Sequence, residues 1–108
     1  MNKVMLIGNV GRDPDIRYVD KTPVATFTLA TNETPAGAAA DTPPVTEWHR
    51  IFMWGPNAEF AEKYIRKGTR LFVEGRLRTR VWEDRNTIKR SVTEILVDQF
   101  EILAGPRS

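Results

Sequence analysis

The chain contains no cysteine and only one histidine, His49. Disulfides and thiolate metal sites are therefore excluded, and His49 lacks the partners that a zinc site would need. Long apolar runs are also missing. Runs such as residues 4–7 reach only four, whereas a membrane helix needs roughly 20 apolar residues, so no membrane partner is expected. The N-terminus passes straight into strand-like residues with no secretion signal, and a cytoplasmic protein is the default. No P-loop, Gly-x-Ser-x-Gly or His-Glu-x-x-His pattern occurs. Asp13 and Asp15 are close enough to suggest a metal, but aspartates in a Gly/Pro turn more often bond to local backbone. Neither an enzyme nor a cofactor is expected.

The 108 residues fit one domain, and 41% of them are hydrophobic, as in a folded globule. The net charge is only +2. Its distribution is more informative. Residues 66–90 carry nine basic groups against Glu74, Glu83 and Asp84, which makes that segment +6 and the remainder −4. Such a stripe is the footprint expected for a polyanion partner.

Strand-like patterns cover 2–10, 24–31, 45–54, 69–82 and 87–97; residues 16–19 could add a short strand and 99–103 a terminal extension. Residues 4–7 are apolar on both faces, which predicts burial on both sides, the second against another subunit. Residues 24–31 alternate, with Ala25, Phe27 and Leu29 on one face. The Pro-, Gly- and Ala-rich stretch 32–44 predicts a long mobile loop. Pro56-Asn57 signals a helix start, with Asn57 as the cap. Ala58, Ala61, Tyr64 and Ile65 recur at helical spacing, and Gly68 suits a terminator. Gly75 in mid-strand fits a barrel bend where a side chain would crowd. Three strands, one helix and two strands is the order of an all-β, five-stranded oligonucleotide-binding (OB) barrel, with one short α-helix between strands three and four. Residues 1–103 form that domain, and 104–108 a short flexible C-terminus.

In a strand, residues two apart share a face. Over 70–82 the odd positions Leu71, Val73, Leu77 and Val81 are apolar and are expected in the core. Trp82 then lies outside with Arg76, Arg78 and Arg80. Over 45–54, Trp48, Arg50, Phe52 and Trp54 share one face. His49, Ile51 and Met53 share the other, and parity leaves the buried face open. Aromatic faces beside guanidinium groups suit unpaired nucleic acid. Each base–aromatic stack is worth roughly 1–3 kcal/mol whatever the base, and arginines neutralise phosphates with a salt-dependent gain. Stacking does not read the sugar, so the residues alone do not separate DNA from RNA.

Asn2-Lys3-Val4, Leu6-Ile7-Gly8-Asn9-Val10-Gly11 and Asp13-Pro14 resemble the opening of bacterial single-stranded DNA-binding proteins. Thr46-Glu47-Trp48-His49-Arg50 is similar to their third-strand signature. Tyr64-Ile65-Arg66-Lys67-Gly68 and Val73-Glu74-Gly75-Arg76-Leu77-Arg78-Thr79-Arg80 resemble their helix end and fourth strand. The resemblance spans about 2–98 and implies a non-catalytic OB-fold homotetramer that protects single-stranded DNA in replication, recombination and repair, near the nucleoid. By position it implies Trp48, Trp54 and Trp82 as stacking residues. It implies Arg50, Lys67, Arg78, Arg80, Lys3 and Arg17 as backbone contacts. His49 falls among subunit contacts, and Arg70, Phe72 and Arg76 lie partly on a subunit-packing face. A stacking aromatic early in the loop after strand two is replaced by Asn32-Glu33-Thr34-Pro35, and Trp54 stands where phenylalanine is common. Family members end in an acidic tip that recruits replication and repair proteins. Ala104-Gly105-Pro106-Arg107-Ser108 carries no such tip, so replication and repair proteins remain possible partners but tail-dependent recruitment cannot be assumed. The alternative is a primosome-type accessory OB protein acting mainly through protein partners. The Trp48 signature and residues 73–80 disfavour it.

Overall fold

A computed structural model of the chain describes residues 1–106. Its elements are β1 (Val4–Val10), β2 (Asp15–Val19), β3 (Thr22–Glu33), β4 (Val45–Trp54), α1 (Pro56–Tyr64), β5 (Arg70–Glu83) and β6 (Lys89–Ala104). Five strands close a ring: β1 pairs β5, β5 pairs β6, β6 pairs β4, β4 pairs β3, and β3 returns to β1 through Asn9↔Ala30 and Val10↔Leu29. The β4–β6 pairing is parallel and the others are antiparallel. This is the expected five-stranded barrel with its helix before the last two strands.

β2 is a sixth strand laid on the edge of β3. The two are joined by Asp20 and Lys21, with φ of 48° and 69°. A two-residue turn with both residues left-handed matches the natural twist of a hairpin.

Alternation along β3 is clean: Pro23, Ala25, Phe27 and Leu29 are buried. Ile51 and Met53 from β4, Leu71 and Val73 from β5, and Ile95 and Val97 from β6 meet them. Ala58, Ala61 and Ile65 close one end of the barrel. The ambiguity on β4 is thus settled: the odd face is inside, and Trp48, Arg50, Phe52 and Trp54 point outward.

The helix begins differently from the expected start. Gly55, with φ 66° and ψ −139°, is the cap, Pro56 takes the first turn, and no side chain caps the helix. Asn57 lies one residue inside the helix, too late to serve the free N–H groups before it. Proline's fixed φ suits the first helical position. Tyr64 also departs from the expected apolar stripe: it is exposed and packs on Phe60, ring centroids 4.6 Å apart. The helix ends at Ile65, in extended conformation, and the left-handed Gly68 (φ 89°) turns the chain three residues later.

The largest correction concerns β5. Leu77 and Val81 were expected in the core, but they are 50% and 67% exposed. β6 still pairs β4 at Ile95 and Leu96, opposite Leu77 and Arg76; past them the β5–β6 hairpin extends from the barrel as an arm. A register shift between Glu74 and Gly75 comes just before the departure, with Val97 opposite Gly75 and Gln99 opposite Glu74. Asp98 is the extra residue of a bulge, a device that bends and twists a strand. A Cβ on Gly75 would collide with the Leu96 carbonyl oxygen, so the predicted crowding is real. The arm elongates the molecule. Its radius of gyration is 15.6 Å, against about 13 Å for a compact 100-residue domain.

β6 is one continuous strand to Ala104, rather than a strand with a separate extension. Of the expected flexible terminus 104–108, Ala104 therefore belongs to β6, and 107–108 lie outside the described residues.

Candidate nucleic-acid interface

The outward face of β4 is built over small neighbours. Trp48 sits opposite Ala30, Arg50 opposite Thr28, Phe52 opposite Thr26 and Trp54 opposite Val24. Cross-strand partners of this size do not cover an indole, and Trp48 and Trp54 remain 61% and 56% exposed. Tryptophan is usually well buried, so an uncovered pair on one strand calls for a ligand. Trp48 also reaches across the chain after β1. A Cβ on Gly11 would strike its ring and approach the Thr28 hydroxyl to 2.7 Å. Glycine at this position leaves room for the indole to lie there.

The arm supplies the second half of the surface. Arg78, Arg80 and Trp82 alternate along β5, with Trp82 46% exposed near the tip and opposite Arg90. The halves meet at Glu94 of β6, a carboxylate only 1% exposed. Arg78 donates to Glu94 Oε1 through Nη2 at 2.7 Å and Nε at 3.2 Å. Arg80 donates to the same oxygen through Nε at 2.7 Å. Arg50, from β4, places its Nε 3.8 Å from Glu94 Oε2. Burial pushes the Glu94 carboxyl up, but hydrogen bonds and positive charge from Arg80 and Arg78 outweigh it and hold the group below the usual carboxylate range. Phe52 completes the cluster, with the Arg78 guanidinium 4.5 Å from its ring centre.

Two shallow grooves run over this face. Arg17, Val24, Arg50, Phe52 and Arg80 line one together with Asp15. Val19, Val24, Trp54 and Arg78 line the other. The structure thus gathers Arg50, Trp54, Arg78 and Arg80 around these grooves, with Arg17 at the β2 edge, Trp48 further along the same face of β4 and Trp82 further along the arm. Arg17 is tied to Asp15 at 3.3 Å.

Lys3 and Lys67 stand apart from both grooves. Lys3 pairs with Glu74 at 3.5 Å. Lys67 is exposed in the turn after the helix, where its backbone N–H donates to Asp13 Oδ1 at 2.8 Å. Asp13 therefore holds a distant turn in place rather than its own. Among the described residues no group of three or more His, Cys, Asp or Glu side chains could hold a metal ion. His49 lies half-buried at the barrel mouth, its Nε2 2.8 Å from the Thr31 hydroxyl.

Sequence reasoning did not single out Glu94. A lone carboxylate at the head of the apolar run Ile95-Leu96-Val97 was its signal, since a strand buries such a charge only against partners.

The surface offers exposed π-faces, half-exposed guanidinium groups and a floor of small side chains. Such a face takes planar rings and anions in alternation. A family model described as the single-strand binding protein family matches residues 1–103. A curated protein of Bacteroides thetaiotaomicron, called single-stranded DNA-binding protein, is 46% identical over 96% of this chain. The chain spans 66% of that protein's length. A solved Plasmodium falciparum structure, described as an SSB complex with single-stranded DNA, superposes with a TM-score of 0.81. It is 39% identical, over 96% of this chain and 94% of that one. No helix among the described residues is long and apolar enough to cross a membrane. By sequence, fold and the geometry of this face, the chain belongs to the single-strand binding protein family.

Proposed function

We propose that this chain binds and protects single-stranded DNA without sequence preference and without catalysis, in replication, recombination and repair. The observation that carries the reading is the run of three exposed tryptophans flanking three arginines held on one carboxylate. Trp48, Trp54 and Trp82 stack on bases. Arg50, Arg78 and Arg80 contact phosphates between them, with Arg17 at the β2 edge. Lys67 and Lys3 extend the path beyond the grooves. Three stacks supply on the order of 3–9 kcal/mol before ordering costs. A duplex hides its base faces and gains little from them, so the face discriminates for unpaired strands.

The chain also assembles with copies of itself in this reading. Met5 and Ile7, on the outward side of β1, are 59% and 51% exposed beside half-buried Phe72. Contiguous apolar surface of this kind marks an interaction site.

The test is tryptophan fluorescence during titration with poly(dT), at low and high salt, with duplex DNA as control. Quenching by poly(dT) alone, weakened by salt, is expected. Replacing Trp48 and Trp82 together with Ala should weaken binding by about 2–6 kcal/mol. Unchanged affinity in a folded double variant would sink the stacking assignment. Absence of quenching at low salt would leave the tryptophans to a protein partner.

A further inference from the structure

Three arginines from two different strands converge on one buried carboxylate, and the ligand surface is built around them. Arg50 comes from β4, Arg78 and Arg80 from the arm, and Glu94 lies beneath all three. Left alone, three guanidinium groups this close repel one another and splay into solvent. Glu94 is 1% exposed, so an approaching strand cannot reach it directly. Its hydrogen bonds use the Nε and Nη2 atoms of Arg78 and Arg80. Among the described residues the Nη1 atoms of both make no hydrogen bond. The side chains remain 35% and 47% exposed. Each arginine is thus fixed by one edge and presents the other outward.

We infer that Glu94 is a positioning residue for DNA binding, which holds Arg50, Arg78 and Arg80 as a preassembled phosphodiester-binding cluster and couples the arm to the barrel. The inference rests on the single-stranded DNA reading above. It makes a prediction of unusual sign. Glu94→Gln removes one negative charge from a surface that binds a polyanion, and simple electrostatics predicts tighter binding. Positioning predicts weaker binding, because the ordering that Glu94 supplies must then be met at the moment of association.

The experiment is a poly(dT) titration followed by tryptophan fluorescence, with the full chain, at moderate salt. Glu94→Gln should bind about tenfold more weakly, as for loss of one charge-assisted contact. In an Arg80→Gln background the same substitution should do much less, because Glu94 acts through that arginine. A general loss of fold would not show this coupling. Unchanged or tighter binding by Glu94→Gln, or strictly additive effects with Arg80→Gln, overturns the inference. If Glu94→Gln does not fold, Glu94→Asp is measured instead. It keeps the charge but withdraws the carboxylate by one carbon. Weaker binding supports positioning, and unchanged binding overturns it. Failure of the wild-type chain to bind would show in its own titration and would overturn the underlying reading instead.

Discussion

Glu94 shows how much one side chain organises here. Taking a carboxylate out of water costs several kcal/mol, and only good partners repay it. Arg78 and Arg80 do so with contacts of 2.7 Å, and no buried polar side-chain atom is without a partner among the described residues. Its folded-state carboxyl is held lower than in the unfolded chain, where Glu titrates near 4.3. The unfolded state therefore takes up a proton first as pH falls. The stability that Glu94 contributes is fully present above about pH 4.3 and is lost as pH falls through its lowered folded value. Urea midpoints measured from about pH 6 to about pH 3 should decline more steeply for wild type than for Glu94→Gln. Parallel declines would show that other carboxylates govern acid unfolding.

The β5–β6 arm is the element whose conformation rests most on local chemistry. Leu77 and Val81 on its odd face are exposed, so its turn must hold its own geometry. Asp84 does most of this. Its Oδ1 accepts from the N–H groups of Asn86 and Ile88 at 2.9 and 3.0 Å, and its Oδ2 from Arg90 Nε at 3.0 Å. The Ile88 N–H and the Arg90 side chain, with help from the Asn86 N–H, hold the Asp84 carboxyl below its usual range. The turn has one strained residue. Thr87, a β-branched side chain, sits at φ 60°, where such residues are rare. Thr87→Gly removes that strain but makes the unfolded chain freer. The net expectation is a gain of up to about 1 kcal/mol. Thermal melting and amide exchange at 84–88 check it. A lower melting temperature would mean that the Thr87 hydroxyl bond to the Asn86 carbonyl at 2.6 Å outweighs the strain.

At the scale of the whole molecule, two surfaces divide the barrel. One is aromatic and cationic, over β4 and the arm. The other carries Met5 and Ile7 of β1 beside Phe72 of β5. β1 was apolar on both sides in sequence, and the structure buries only one of them. Val4 and Leu6 pack on the core, whereas Met5 and Ile7 face out. Ile7→Glu should therefore shift self-assembly toward monomers by sedimentation velocity, because an unpaired charge would be buried between subunits. An unchanged sedimentation coefficient would place the subunit contacts elsewhere.

Much of this was legible in the residues themselves. Element order, the inward face of β3, the outward placement of Trp82 and the crowding at Gly75 follow from alternation and from the size of a side chain. These are local properties, set by the two-residue period of a strand. Three features were not local. Parity alone could not choose the buried face of β4, because Ile51 and Met53 compete with Phe52 until β6 packs beside them. Leu77 and Val81 read as core because alternation continues along β5, yet a strand that outruns its barrel has no core to enter. Asn57 read as a helix cap because its side chain suits one, but the left-handed backbone at Gly55 had already started the helix. The Glu94 cluster is the clearest case. Its members lie 14, 16 and 44 positions away in the chain, and only closure of the barrel brings β4 alongside β6. Residue identity and alternation along the chain settle which side chains can stack and which carry charge. Which of them share a surface depends on barrel closure, because that requires strands to meet across long separations in the chain.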